Sequence, residues 1–273
     1  MTGEAHSELE TRFADGRVLA TREGAVGWLT FNRPERHNAM SVEMWEAVPL
    51  ALDRLEGDGE VRVVVLRGAG GKAFISGADI TQFEDRRSST DDRSGYDRVV
   101  GAASRRIAAA RRPTLAMIRG YCIGGGLGVA LQCDLRIATR ASSFGIPAAR
   151  LGVGYGHAGL RRLIEVVGPS FATEIFATAR RFTAEEALAM GLVNRVVEDS
   201  ELEPFVADYC RRIAENAPLT IEAVKTCVRE LARGRDFDRE LCERVVRACF
   251  ESEDYAEGRR AFLEKRKPVF KGK

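Results

Sequence analysis

Residues 118–140 read Ile-Arg-Gly-Tyr-Cys-Ile-Gly-Gly-Gly-Leu-Gly-Val-Ala-Leu-Gln-Cys-Asp-Leu-Arg-Ile-Ala-Thr-Arg. An apolar segment, 114–118, leads in. Gly124, Gly125 and Gly126 follow a short turn, and an apolar run continues to Leu131 before Gln132-Cys133-Asp134 stops it. The pattern predicts strand, tight turn, buried helix and strand. Glycine at a helix start lets a ligand approach the backbone, because there is no Cβ in the way. The first amides of a helix have no internal partner and carry the positive end of its dipole. They suit an anion, or an oxygen that becomes anionic during a reaction. The same triplet would equally serve close packing of the helix on a neighbouring strand. The spacing is not G-x-G-x-x-G and no Lys-Ser/Thr pair follows, which argues against dinucleotide and P-loop sites.

Upstream, residues 18–21 and 26–31 flank Gly24 as a strand hairpin, with residues 1–12 expected to be poorly ordered. A polar loop, 32–40, leads to Ser41, an N-cap for a helix over 42–55. Residues 61–67 are rich in β-branched side chains and fit a buried strand. After a turn at 68–71, the apolar segment ending at Gly77 opens onto a helix. Residues 86–94 read as a mobile polar loop, and 96–110 as a helix ended by Pro113.

Downstream, the glycine-dense run 143–157 suggests irregular backbone over a pocket. Helices are expected at 160–167, 170–178 and 183–190, the last opened by a capping box, Thr183-Ala184-Glu185-Glu186. A strand over 193–197 precedes four helices, 201–215, 219–232, 237–250 and 254–267. Strands alternating with helices, then a helical tail, predict an α/β core over 13–200 and a helical region over 201–273.

With 273 residues, 45% of them hydrophobic, the chain can bury a sizeable core. Lys+Arg 42 against Asp+Glu 40 leaves a net charge of +2, a balance that argues against nucleic-acid and membrane-surface partners. No apolar run reaches the ~18 residues of a membrane span. The polar, acidic N-terminus lacks a signal-peptide pattern, so a cytoplasmic protein is expected. The six cysteines form no C-x-x-C pair and His6, His37 and His157 are scattered, so no metal site is expected. Cys122, in the glycine turn, reads as core filler in preference to a ligand neighbour.

Six ordered segments resemble the crotonase superfamily, the enoyl-CoA hydratase/isomerase family. They are Leu29-Thr-Phe-Asn-Arg-Pro-Glu-Arg-His-Asn-Ala-Met, Lys72-Ala-Phe-Ile-Ser-Gly-Ala-Asp-Ile, Gly120-Tyr-Cys-Ile-Gly-Gly-Gly-Leu, Phe144-Gly-Ile-Pro, Ala184-Glu-Glu-Ala-Leu-Ala-Met-Gly-Leu-Val-Asn and Ala261-Phe-Leu-Glu-Lys-Arg-Lys-Pro. The resemblance implies a spiral core of ββα repeats, a C-terminal helical trimerisation region giving a homotrimer or dimer of trimers, and acyl-CoA substrates. Coenzyme A enters as part of the substrate, and no cofactor is implied. It further implies that the backbone amides of Ala78 and Gly125 hold the thioester oxygen of an enolate. Arg36, Phe262 and Lys265 match positions that reach the nucleotide, the last two usually from a neighbouring subunit.

The resemblance also shows what is missing. Hydratases of the family use two glutamates; the matching positions here are Gly128 and Ala148, and neither can activate water or protonate carbon. An isomerase carboxylate position is Gly156. Residues 151–155 and the tail from Glu251 resemble the methylmalonyl-CoA decarboxylase branch, which places a tyrosine at the Tyr155 position. That branch has a histidine where Ala78 stands. Decarboxylation needs no base, because carbon dioxide leaves and the amides hold the enolate. Tyr155 would orient the carboxylate and His157 is a candidate acid, although a solvated surface histidine is the plainer reading. The expected function is a lyase acting on an acyl-CoA, with decarboxylation of a malonyl-type CoA favoured over crotonyl-CoA hydration. The alternatives are a non-catalytic acyl-CoA binder and a hydratase with a substitute acid/base.

Overall fold

The computed structural model describes residues 9–79 and 90–273. Numbered in chain order, seven strands pair as β1 (Leu9–Phe13), β2 (Val18–Glu23), β3 (Val26–Phe31), β4 (Val63–Gly68), β6 (Thr114–Ile118), β8 (Leu135–Thr139) and β11 (Arg195–Val197). The first three are antiparallel neighbours; from β3 onward every pairing is parallel. A second sheet has the order β10 (Phe182–Thr183), β9 (Ser143–Gly145), β7 (Tyr121–Ile123), β5 (Ala73–Ile75). The described helices are α1 (Val42–Glu56), α2 (Thr90–Ala108), α3 (Gly125–Gln132), α4 (His157–Thr178), α5 (Ala184–Ala189), α6 (Leu202–Ala214), α7 (Pro218–Leu231), α8 (Arg239–Phe250) and α9 (Glu253–Leu263).

The element order makes the core a spiral. Each pass lays one strand in the large sheet, the next in the small sheet, and then a helix: β4, β5, α2; β6, β7, α3; β8, β9, α4. The central strands β4 and β6 of the large sheet are largely apolar on both faces, as parallel strands covered on both sides must be. Along β4, Val64 and Leu66 face a core shared with Trp45, Leu52, Phe74 and Leu127. Val63 and Val65 face the other way and meet Leu202, Val206 and Cys210 of α6. The two-residue period of the strand sorts these side chains, and α6 therefore closes the outer face of the sheet.

Ser41 Oγ accepts from Met44 N–H at 3.4 Å, capping α1 as its sequence predicts. The Thr183 capping box is present in both directions, at 3.2 and 2.8 Å. The segments expected at 160–167 and 170–178 join in α4 across a break at Gly168, whose φ is 75°, followed by Pro169. Two expectations are corrected. Residues 9–12 are not disordered: they form β1, pairing Leu9 with Arg22 through Phe13 with Val18. An edge strand needs only backbone partners, so the polar composition did not prevent it. Residues 90–94 are helical, part of α2, whose backbone hydrogen bonds do not depend on side-chain polarity. Residues 1–8, the helix expected after Gly77 and the loop over 86–89 lie outside the described residues.

All six cysteines are free thiols, and Cys122 is buried in the core. Among the described residues, no helix is long and apolar enough to cross a membrane. In the C-terminal helices, Val224, Val228 and Leu231 of α7 are 58%, 63% and 60% exposed.

Candidate active site

Strands β5 and β7 are parallel neighbours, with Ile75 opposite Cys122. Three residues further along each strand stand Ala78 and Gly125, so the pairing brings the two segments side by side. A Cβ built on Gly125 would lie 3.9 Å from Ala78 N. Two expected site residues separated by 47 positions in sequence thus meet because adjacent parallel strands end together. Two glycines permit the approach. Gly77 adopts φ of 126°, which disfavours L side chains, and a Cβ on Gly126 would collide with the Ile75 carbonyl.

Hydrogen bonds on the far sides of the two peptide planes fix where the amides point. Met40 N–H donates to Gly77 O at 2.9 Å. A trans peptide holds its C=O and N–H in opposite directions, so Ala78 N–H points away from Met40. Likewise Gly128 N–H donates to Gly124 O at 3.0 Å, and Gly125 N–H points out of the N-terminus of α3. Among the described residues neither amide has a hydrogen-bond acceptor. Each is polarised by the bond its own peptide carbonyl accepts. Trp45 backs the pair: its Cζ2 would be 3.1 Å from a Cβ on Gly125.

Beyond the amides the described residues leave space. Gly128 lies about one turn, roughly 4.5 Å, further along α3 on the same side as Gly125. A Cβ there would meet nothing within 4 Å. Ala148, in the short 3-10 turn Pro147–Leu151, is buried among core residues that include Leu127 and Val129. Tyr155 packs against this core together with Tyr96, Val99 and Val100 of α2. Its ring lies edge-on to Phe176 at 4.7 Å and is seated on Gly159, where a Cβ would come within 2.6 Å of Cε1. Burial, and then the neighbouring Tyr96, hold the Tyr155 phenol above its ordinary range. It therefore stays a neutral donor through the physiological range. His157 is exposed at the first residue of α4, and no hydrogen bond or ring contact among the described residues ties it to Tyr155 or to either amide. Arg161 pairs with Glu165 at 3.0 Å on the helix surface.

Arg36 is exposed in the 3-10 turn Pro34–Arg36, whose end is joined to the strand leading into Ala78. Ser76 N–H donates to His37 O at 3.1 Å, and Ser76 Oγ donates to Arg36 O at 3.4 Å. Phe262, 84% exposed, and Lys265, in the left-handed region, stand at the end of α9. No described contact brings them to the amides of their own chain.

Sequence reasoning missed the frame behind Ala78. Asn38 is fully buried at φ of 57°. It accepts from Arg33 N–H at 2.9 Å and donates to Ala69 O and Ala73 O at 3.0 and 2.8 Å. Arg33 reaches Asp79 at 2.5 Å, and Asp79 N–H donates to Met40 O at 2.9 Å. The signal was a charged residue, Asp79, inside an otherwise apolar and small-residue segment. A separate groove of about 500 Å³ opens on the large sheet near β1–β4. There Arg119 is already paired with Asp199 and Glu203, both at 2.7 Å, and Arg67 is stacked on Trp28 at 4.2 Å. Among the described residues, no cluster of three His, Cys, Asp or Glu side chains could hold a metal ion.

The sequence matches the family described as Enoyl-CoA hydratase/isomerase over residues 21–273. It is 36% identical over 254 residues to a short-chain-enoyl-CoA hydratase from Clostridium acetobutylicum, covering 92% of this chain and 95% of that protein. It is also 36% identical over 251 residues to methylmalonyl-CoA decarboxylase from Escherichia coli, covering 90% and 95%. The crystal structure of an enoyl-CoA hydratase/carnithine racemase from Magnetospirillum magneticum superposes with a TM-score of 0.91 at 38% identity, covering 94% of this chain and 96% of that one.

Proposed function

The chain belongs to the enoyl-CoA hydratase/isomerase family, and on that premise we propose that it is a lyase that decarboxylates a malonyl-type acyl-CoA. The observation that carries this reading is the combination of two amides, Ala78 and Gly125, that have no acceptor among the described residues, with no carboxylate and no described neighbour within 4 Å of a Cβ at Gly128. Water addition needs a base and an acid placed at that wall, and glycine and Ala148 supply neither. Decarboxylation needs only a holder for the developing enolate. The bond from the α-carbon to the carboxylate breaks, carbon dioxide leaves, and the electron pair moves into the thioester, whose oxygen becomes anionic between the two N–H groups. Tyr155 donates to the departing carboxylate from its neutral phenol and orients it. The α-carbon then takes a proton from water or from His157, and the pH–rate profile of His157→Asn decides between them.

The kinship to methylmalonyl-CoA decarboxylase supports the reading; the kinship to hydratases supports the thioester-holding part of it equally. Arg36 would bind the nucleotide of the chain's own substrate. Phe262 and Lys265 would reach the nucleotide of a neighbouring subunit, in a homotrimer or dimer of trimers. The exposed apolar side chains of α7 and the 84% exposed Phe262 suit burial between subunits. Sedimentation as a single monomer would defeat that assembly.

Product analysis with methylmalonyl-CoA, crotonyl-CoA, a branched enoyl-CoA and acetyl-CoA tests the reaction. Carbon dioxide release from methylmalonyl-CoA, with crotonyl-CoA unchanged, is the expected result. Robust hydration of either enoyl-CoA would overturn it and demand another acid/base. Tight binding of all four without product would make the protein a binder.

A further inference from the structure

We propose that the Arg33–Asp79 ion pair is the device that aims the Ala78 amide, making Arg33 a positioning residue. The proposal rests on the reading of Ala78 as a carbonyl donor. Ala78 sits between two bonds to one residue: Met40 N–H donates to Gly77 O, and Asp79 N–H donates to Met40 O, both at 2.9 Å. Met40 and Ala78 thus form a one-residue parallel bridge. An isolated bridge of two hydrogen bonds, next to a glycine at φ of 126°, has little stiffness of its own. The hydrogen bonds set the direction of the 77–78 peptide plane, so any rocking of residues 39–40 against 77–79 swings the Ala78 N–H.

Arg33 spans that joint. Its Nη1 lies 2.5 Å from Asp79 Oδ2 and 3.5 Å from Ala39 O. One guanidinium therefore touches both sides of the bridge, immediately beyond Ala78 on one side and immediately before Met40 on the other. The pair is sheltered, with side chains 17% and 8% exposed, so its geometry is held more firmly than a surface pair's. Arg33 is itself fixed, because its own N–H donates to buried Asn38, which is bonded to Ala69 and Ala73. The chain of bonds runs from the end of β4 through Asn38 and Arg33 to Asp79 and the peptide that carries the donor. A planar fork can contact a carboxylate and a carbonyl together, and an ammonium is a poorer substitute.

The test reads carbonyl polarisation directly. Acetyl-CoA carrying 13C at the thioester carbonyl is bound to the intact protein, and the carbonyl stretch is followed by difference infrared spectroscopy. In the wild type the stretch moves to lower frequency. In Arg33→Met at least half of that shift is lost while the dissociation constant for free coenzyme A stays within about threefold. Turnover falls about tenfold to a hundredfold in kcat with a smaller change in KM, as for a misplaced donor. Arg33→Lys recovers part of the shift. Should Arg33→Met fail to fold, Arg33→Lys and Asp79→Asn carry the same test, each expected to lose part of the shift at an unchanged coenzyme A affinity. A full wild-type shift in these variants overturns the proposal and leaves the amide pair standing. A wild-type protein with no shift overturns the amide reading itself, and the positioning role with it.

Discussion

Gly126 and Gly128 lie two residues apart on α3, about 200° around the helix from each other. A Cβ on Gly126 would run into the Ile75 carbonyl, and one on Gly128 would touch nothing within 4 Å among the described residues. The first glycine belongs to a region where backbone packs on backbone, between α3 and β5. The second belongs to a face of α3 that the described residues leave uncovered. Identical residues in one eight-residue helix thus serve opposite ends. On one side absence of a side chain closes the structure; on the other it leaves the structure open. The difference teaches that the rigid side of α3 is the one packed on β5, and the permissive side is the one that carries Gly128.

The largest effect expected from this contrast is at the closed side. Gly126→Ala must push α3 away from β5 and should destabilise the protein by about 3 kcal/mol or prevent its accumulation. Denaturant unfolding measures this, and a change under ~0.5 kcal/mol would break the contrast. Next is Gly125→Pro, which removes one amide at a helix position that tolerates proline. Its ring presses on Trp45, so binding of free coenzyme A serves as the control for folding. Turnover should fall roughly a hundredfold to a thousandfold, and a rate that survives would place the carbonyl elsewhere.

Tyr155→Phe keeps the ring on Gly159 and Phe176 and removes only the hydroxyl. A decarboxylase should lose about tenfold or more in kcat, on the scale of one hydrogen bond to a charged group, whereas a binder's affinity stays unchanged. Because the phenol is held above its ordinary range, the neutral form persists as pH rises. The Tyr155-dependent rate should show no alkaline loss below the ordinary range of a phenol; an inflection between pH 7 and 9 assigned to Tyr155 would contradict the buried setting. The smallest effect, of opposite sign to the first, is at the open side. Gly128→Ala should stabilise the protein by about 0.5–1 kcal/mol, since alanine loses less backbone entropy in a helix. It should also raise KM for a branched acyl-CoA more than for acetyl-CoA. Destabilisation there would mean that the space is filled.

Much of the frame was legible because local rules coincide with global ones. The hairpin around Gly24, the Ser41 cap and the Thr183 capping box each follow from a few adjacent residues, and the structure contains all three. Residues 90–94 and β1 were not legible by polarity. A helical segment and an edge strand are held by backbone hydrogen bonds, which composition does not report. The glycine triplet showed that something must approach the backbone there, without saying whether it was a ligand or a strand. The structure separates the two: Gly126 meets Ile75, while the amide of Gly125 has no described acceptor.

The sequence by itself determined the broad alternation of strands and helices from β2 onward, the family, and that residues 128 and 148 are glycine and alanine with no carboxylate. Those are properties of residue type and spacing along the chain. Only the tertiary structure decided that Ala78 stands beside Gly125, that Met40 turns the Ala78 amide, and that Arg33 bridges to Asp79 across 46 residues. Such pairings are set by strand register and by hydrogen bonds between distant backbone groups. Neither leaves a mark in side-chain periodicity, because the atoms involved are ones every residue carries.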